Sequence, residues 1–228
     1  MSAVERVFGR SRVLLAVVHA RDVCGGKRSI DVAKEAGADG VFVVTEQSLG
    51  VAETEEVGLH AVEAGFWTGI NYLGSAPGAA AQRVAPVWNG LWTDGASGDA
   101  ALVFRERGWY GLYFGSVAFK YQVAVPPERE VEVARVAASM GIDVVTTSGP
   151  ATGAAASIDK VRRFREGCGE HALALASGVR ADNVAAFLPY VDAYLVGTGI
   201  EREFGVVDRH RCRRLADLIH GYSKGAHR

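Results

Sequence analysis

Eight short apolar runs rich in β-branched residues recur along the chain: VLLAVVH, GVFVVTE, WTGINYLG, WNGLWTD, GLYFGSVAF, DVVTTSG, ALALASG and AYLVGTG. Their polar or small ends fall at His19, Glu46, Asn71, Asp94, Ser116, Ser148, Ser177 and Thr198, so most repeats are a little over twenty residues long. Runs that are apolar at nearly every position predict strands buried on both faces, as a parallel sheet covered by helices requires. Between them lie SIDVAKEAGAD, TEEVGLHAVEAGF, PPEREVEVARVAASMGID and SIDKVRRFREGCG. Ser, Thr or Pro at their starts and Gly at their ends mark helices that lead back into strands. Eight such βα units predict an α/β chain folded as a closed (β/α)8 TIM barrel rather than an open doubly wound sheet. No GxGxxG follows the first run and no Walker-type GK[ST] occurs, so the open dinucleotide-binding folds lose their usual support. At 228 residues with no linker-like stretch, the chain reads as one barrel domain over 1–228.

The charge balance narrows the partner. With 25 basic and 26 acidic residues the formal net charge is -1, which gives no field to condense onto nucleic acid or an anionic membrane. A small-molecule ligand is the expectation. The apolar run near the N-terminus is too short to span a bilayer and is interrupted by His19, Arg21 and Asp22, so it reads as a first strand, with no membrane insertion. The basic stretch DRHRCRRLADLIH has the spacing of an amphipathic closing helix. Cys24, Cys168 and Cys212 are odd in number and lack CxxC spacing, which fits a reducing cytoplasm and signals neither a disulfide framework nor a zinc site. The outer helices leave a homo-oligomer open.

In a barrel of this kind the chemistry lies at the C-terminal ends of the strands. Ser177, Gly178, Gly197 and Thr198 fall there after strands seven and eight, where glycine lets main-chain N–H groups approach an anion and a following helix N-terminus adds positive potential. A phosphate-binding site after strands seven and eight is therefore predicted, assisted by Arg180 or Arg202. Strand ends also select His19, Glu46, Asn71, Asp94, Lys120 and Thr147. Glu46 and Asp94 are the preferred acid–base pair, dividing acid and base roles or stabilising an oxocarbenium-like centre. His19 is a second proton-transfer candidate, Asn71 joins the catalytic set, and Lys120, Thr147 and Gly149 join the phosphate or substrate set. The tract SGPATGAAAS is expected to be a mobile loop on the active face. Cys24 is similar in place to the cysteine near the first strand of phosphoribosylanthranilate isomerase, but it falls in a loop beyond the strand end. Trp67, Trp88, Trp92 and Trp109 cluster around strands three to five, where one of them can stack a flat ring. No cofactor is predicted. Glu46, Asp94 and His19 offer hard ligands for a divalent ion, without contiguous ligand spacing.

Taken together, GVFVVTE, GLWTDGA, GLYFGSVAFKYQ, DVVTTSGPATGAAASIDKVRRFRE and LASGVRADNVAAFLPYVDAYLVGTGI resemble the BtpA-like barrel family, which includes a factor needed for photosystem I accumulation. The likeness runs from the second strand to the eighth. It implies a phosphate-binding barrel and puts Thr147, Gly149, Thr152, Gly153, Ser177, Gly178, Asn183, Gly197 and Thr198 on matching segments. The function expected is an enzyme acting on a phosphorylated sugar, ribosyl or nucleotide-like molecule by isomerisation, C–N glycosyl cleavage or aldol-type cleavage. The rival is a non-enzymatic assembly or stability factor built on the same barrel.

Overall fold

A computed structural model describes residues 1–46 and 49–222. Every one of the eight apolar runs is a parallel strand: β1 (Val13–Val18), β2 (Gly40–Val44), β3 (Trp67–Asn71), β4 (Gly90–Thr93), β5 (Leu112–Ser116), β6 (Val144–Ser148), β7 (Ala172–Ala176) and β8 (Ala193–Val196). They pair in chain order and close into a barrel when β8 pairs with β1, in the register Leu15 to Leu195. The helices α2 (Val23–Glu35), α3 (Val51–Glu63), α4 (Pro77–Arg83), α5 (Gly98–Glu106), α6 (Glu130–Ser139) and α7 (Ile158–Cys168) follow strands one to six. A short helix α1 (Ala3–Phe8) precedes β1, so the N-terminal stretch is not all strand. It packs Ala3, Val4 and Phe8 against the residues inside the barrel.

The pattern breaks after β7 and β8. β7 is followed only by a one-turn 3-10 helix at Val184–Ala186. β8 leads into a hairpin of β9 (Glu201–Glu203) and β10 (Val206–Val207) before α8 (Arg209–His220). α8 turns Cys212, Leu215, Ala216 and Ile219 inward, as the amphipathic spacing of DRHRCRRLADLIH requires, while Leu218 stays at the surface.

Side chains alternate between the barrel interior and the layer beneath the helices. Val13, Leu15 and Val17 join the interior cluster with Phe42, Trp92, Phe114 and Leu195, whereas Leu14, Ala16 and Val18 pack outward. Large interior residues come from β2 to β5, and β7 and β8 face them with Ala172, Ala174, Ala176 and Ala193. Phe42 holds this arrangement, with its ring 5.1 Å from Phe114, 5.4 Å from Trp67 and 5.8 Å from Trp92. A Cβ at Gly69 would lie 2.1 Å from the Phe42 ring, so only glycine fits beside it.

A device repeated around the barrel closes its N-terminal end. Asp39, Asn89, Asp143 and Asp192 each stand immediately before an even-numbered strand. Each side chain accepts the N–H of the second residue of the preceding odd-numbered strand: Leu14, Thr68, Tyr113 and Leu173. Each main-chain N–H donates to the carbonyl of that same residue. Arg105 and Arg165 add ion pairs of 2.7 Å to Asp143 and Asp192. Asp143→Ala leaves the buried Tyr113 N–H without its acceptor, and the expected loss is about 1–3 kcal/mol, read from a urea melt.

Candidate active site at the barrel mouth

The C-terminal ends of β1 to β5 converge on a cavity of about 480 Å³ lined by His19, Glu46, Asn71, Asp94 and Lys120. Its walls are Trp92, Phe119, Tyr121 and Phe204. Closing the barrel brings together residues that the sequence spreads over strands one to five. Of the four tryptophans only Trp92 lines this mouth; Trp67, Trp88 and Trp109 line a separate hollow with residues such as Val7 and Leu112.

Each polar group has a specific anchor. The imidazole of His19 lies between two carboxylates, with Nδ1 3.2 Å from Glu201 Oε1 and Nε2 4.0 Å from Glu46 Oε1. Glu201 is buried, and its Oε2 has no hydrogen-bond partner among the described residues. Asp94 accepts a 3.3 Å hydrogen bond from the buried Asn71 amide, and its carbonyl accepts one from the Gln122 side chain. The two expected acids thus line one cavity in different settings, Glu46 beside an imidazole and Asp94 beside an amide.

A smaller compartment adjoins the first and shares His19, Trp92, Lys120 and Thr152 with it. Ser177, Gly197 and Thr198 line it. Among the described residues, no hydrogen bond uses the N–H of Gly178, Thr198 or Gly199. Ser177 and Gly178 both hold positive φ, 67° and 68°, and Asn183 fixes the loop beyond by accepting from Arg180 N–H at 2.9 Å and donating to the Gly178 carbonyl at 2.8 Å. The helix-dipole part of the expected anion site is not present, because the 3-10 turn and the β9–β10 hairpin stand where helices were expected. Arg180 reaches the Gly153 carbonyl, and Arg202 is exposed beside Glu203.

Lys120, Tyr121 and Thr152 tie the loops after β5 and β6 together. Lys120 Nζ lies 3.2 Å from Thr152 Oγ1, Tyr121 Oη lies 3.3 Å from the same hydroxyl, and the Thr152 N–H donates to Tyr121 Oη. The tract from 149 to 157 has neither helix nor strand, as its composition suggested. Among the described residues the three non-glycine residues with positive φ, Ala118, Tyr121 and Ser177, sit in loops on this face. Such conformations are costly and concentrate where a site requires them.

Two expected substrate residues have other surroundings. Thr147 is fully buried and pairs with Leu175 on the outward side of the sheet; the interior positions of β6 belong to Thr146 and Ser148. The strand's two-residue alternation puts Thr147 behind the wall of the mouth. Gly149 lines a neighbouring cavity with Lys160, and a Cβ there would lie 2.0 Å from the Ala154 carbonyl oxygen. Lys160 escaped the sequence reading: its ammonium donates to the carbonyls of Ala118 at 2.6 Å and Ser148 at 2.7 Å, and burial lowers its pKa. Phe204 and Tyr121, which line the mouth, and Glu201, buried against His19, were likewise missed, since no local pattern distinguishes them from turn residues.

Among the described residues no group of three or more His, Cys, Asp or Glu side chains is arranged to hold a metal ion, so the His19, Glu46 and Asp94 ligand set lacks geometric support. No described helix is long and apolar enough to cross a membrane. Burial pushes the thiols of Cys168 and Cys212 up to about 12, while Cys24 is exposed in the first turn of α2. Iodoacetamide at pH 8 should therefore alkylate Cys24 alone in the folded protein and all three thiols in urea, counted by intact mass, because the thiolate is the nucleophile.

No family model and no curated protein matches the sequence. Solved structures do. The (S)-3-O-geranylgeranylglyceryl phosphate synthase of Thermoplasma acidophilum superposes with a TM-score of 0.71 at 13% identity, covering 97% of this chain and 100% of that one. Phosphoribosyl anthranilate isomerase of Thermotoga maritima gives 0.69 at 18% identity over 93% and 100%. A 4-hydroxy-2-oxoglutarate/2-dehydro-3-deoxyphosphogluconate aldolase gives 0.66 at 18% identity over 96% and 100%. None of the three carries the BtpA-like name. What they share with this chain is the fold, a closed (β/α)8 barrel.

Proposed function

We propose that this barrel is an enzyme acting on a phosphorylated sugar, phosphoribosyl or nucleotide-like small molecule. The observation that carries the reading is the joined pair of compartments. One holds Glu46, Asp94 and His19, the other is bounded by Ser177, Gly197 and Thr198, and Lys120 borders both. Unengaged N–H groups at Gly178, Thr198 and Gly199 suit phosphoryl oxygens, with Lys120 as counter-charge. The reacting carbon then lies over the acids, in reach of general acid–base catalysis. The structural neighbours named above act on phosphorylated compounds, which supports the class without choosing among isomerisation, C–N cleavage and aldol cleavage. Membership of the BtpA-like family and a cytoplasmic location belong to the same proposal. The rival, an assembly factor on a barrel scaffold, predicts that loss of the mouth carboxylates is tolerated.

Melting temperature tests the proposal. Ribose 5-phosphate, phosphoribosyl compounds and nucleoside monophosphates are each compared with their unphosphorylated forms. A ligand at about a hundred times its Kd stabilises the native state by about 2.7 kcal/mol. The expected result is a phosphate-dependent rise that Lys120→Ala, which removes the counter-charge, abolishes. No rise with any of them overturns the phosphate reading in favour of the rival.

A further inference from the structure

We infer that Glu201 is a positioning residue for His19, and that the segment after β8 is a socket that leaves the imidazole Nε2 as the proton-transfer atom of the mouth. The inference rests on the acid–base reading above and assigns its atom. Three contacts from one segment fix the ring. Glu201 Oε1 lies 3.2 Å from Nδ1, with its side chain only 3% exposed. Phe204 stacks on the imidazole with centroids 5.1 Å apart and planes inclined by 25°. At Gly197 an added Cβ would lie 2.7 Å from Cε1 and 3.1 Å from Nδ1 of His19, so the ring occupies the space that a side chain there would need.

The socket is itself tied to two helices. Ser29 in α2 donates to the Gly205 carbonyl at 3.0 Å, and the Val207 N–H lies 3.4 Å from the same hydroxyl. Arg211 in α8 donates to the main-chain carbonyl of Glu201. The hairpin that replaces the eighth loop-to-helix connection thus has a use: it holds a histidine from the first strand end.

A buried carboxylate is stable only when paired, and His19 is the side chain hydrogen-bonded to Glu201. Donation from Nδ1–H to Glu201 leaves the lone pair on Nε2. At 4.0 Å, Nε2 is too far from Glu46 for a hydrogen bond, so it is open to the cavity that both line. In the step proposed, a substrate C–H, N–H or O–H bond breaks, its electron pair stays on the substrate, and the proton goes to Nε2. The imidazolium formed is held against the Glu201 carboxylate, and Nε2 then gives the proton to the atom that the rearrangement or cleavage leaves basic, which restores the neutral imidazole, the division of labour by which a carboxylate orients a catalytic imidazole.

The test needs no substrate. Nitrogen-15 spectra of the full chain, recorded above the imidazole titration range and assigned to His19 by its absence in His19→Asn, report which nitrogen carries the proton. The expected result is Nδ1–H with a bare Nε2, lost in Glu201→Ala. Gly197→Ala provides a second variant that keeps the carboxylate and displaces only the ring; it should lose the same signature while still melting cooperatively. A native Nε2–H tautomer, or an Nδ1–H tautomer unchanged in Gly197→Ala, overturns the socket. If the tautomer is as inferred and no phosphorylated ligand raises the melting temperature, the phosphate reading fails while the socket stands. With a substrate in hand, Glu201→Ala should lower kcat about 10–100-fold, as loss of an orienting partner does, with KM little changed.

Discussion

Phe42→Ala is expected to cost about 3–5 kcal/mol, the range for removing a fully buried aromatic ring from a packed core. The ring meets Trp67, Trp92 and Phe114 in edge-to-face geometry, and the cavity left by its removal would be walled by large rigid rings that collapse poorly. Domains of ordinary stability have about 5–15 kcal/mol in all, so the variant should melt at markedly lower denaturant concentration or fail to accumulate folded. A double-mutant cycle separates packing from other causes. Gly69→Ala alone forces a Cβ to 2.1 Å from the Phe42 ring, but in the Phe42→Ala background the same methyl enters the vacated space. Its cost should therefore fall by more than 1 kcal/mol, at the scale of couplings between residues in contact. Equal costs in both backgrounds would show that Phe42 does not organise the barrel interior.

His19→Asn is expected to lower kcat by about 10²–10⁴ on whichever phosphorylated compound the melting screen selects, the usual contribution of a positioned acid or base. Asparagine keeps polarity at the mouth but cannot relay a proton, so the ligand-induced rise in melting temperature should persist while turnover is lost. Glu46→Gln and Asp94→Asn should each reduce turnover as well. Because Glu46 faces the imidazole and Asp94 faces Asn71, these two losses belong to different parts of the site. Full turnover in both carboxamide variants would remove the acid–base assignment and favour the assembly-factor reading.

Much of the architecture was legible because it is written locally. Eight doubly buried runs gave eight strands, and Ser157 at the head of SIDKVRRFREGCG caps α7 as its sequence predicts, accepting the Lys160 N–H. The four clamps at Asp39, Asn89, Asp143 and Asp192 are also visible as an Asp or Asn directly before every second strand, although their partners are not. VRADNVAAFLPYV was harder. Its Asn183 side chain folds the loop back on Gly178 and Arg180 instead of opening a helix, so the element after β7 is a single 3-10 turn. Side-chain hydrogen bonding of this kind competes with helix formation and leaves no distinct periodicity.

Strand number, the parallel closed sheet and the presence of His19, Glu46, Asn71 and Asp94 at the strand ends follow from the alternation of apolar runs and helices along the chain. Which neighbours those residues meet depends on how the strands pair and close. Strand parity turned Thr147 away from the mouth and left the interior-facing positions of β6 to Thr146 and Ser148. Barrel closure put β1 beside β8 and so joined His19 to Glu201 across 182 residues of chain. Local patterns report how each segment hides its own apolar face; pairing between distant strands is set by register and ring closure, which no single segment encodes.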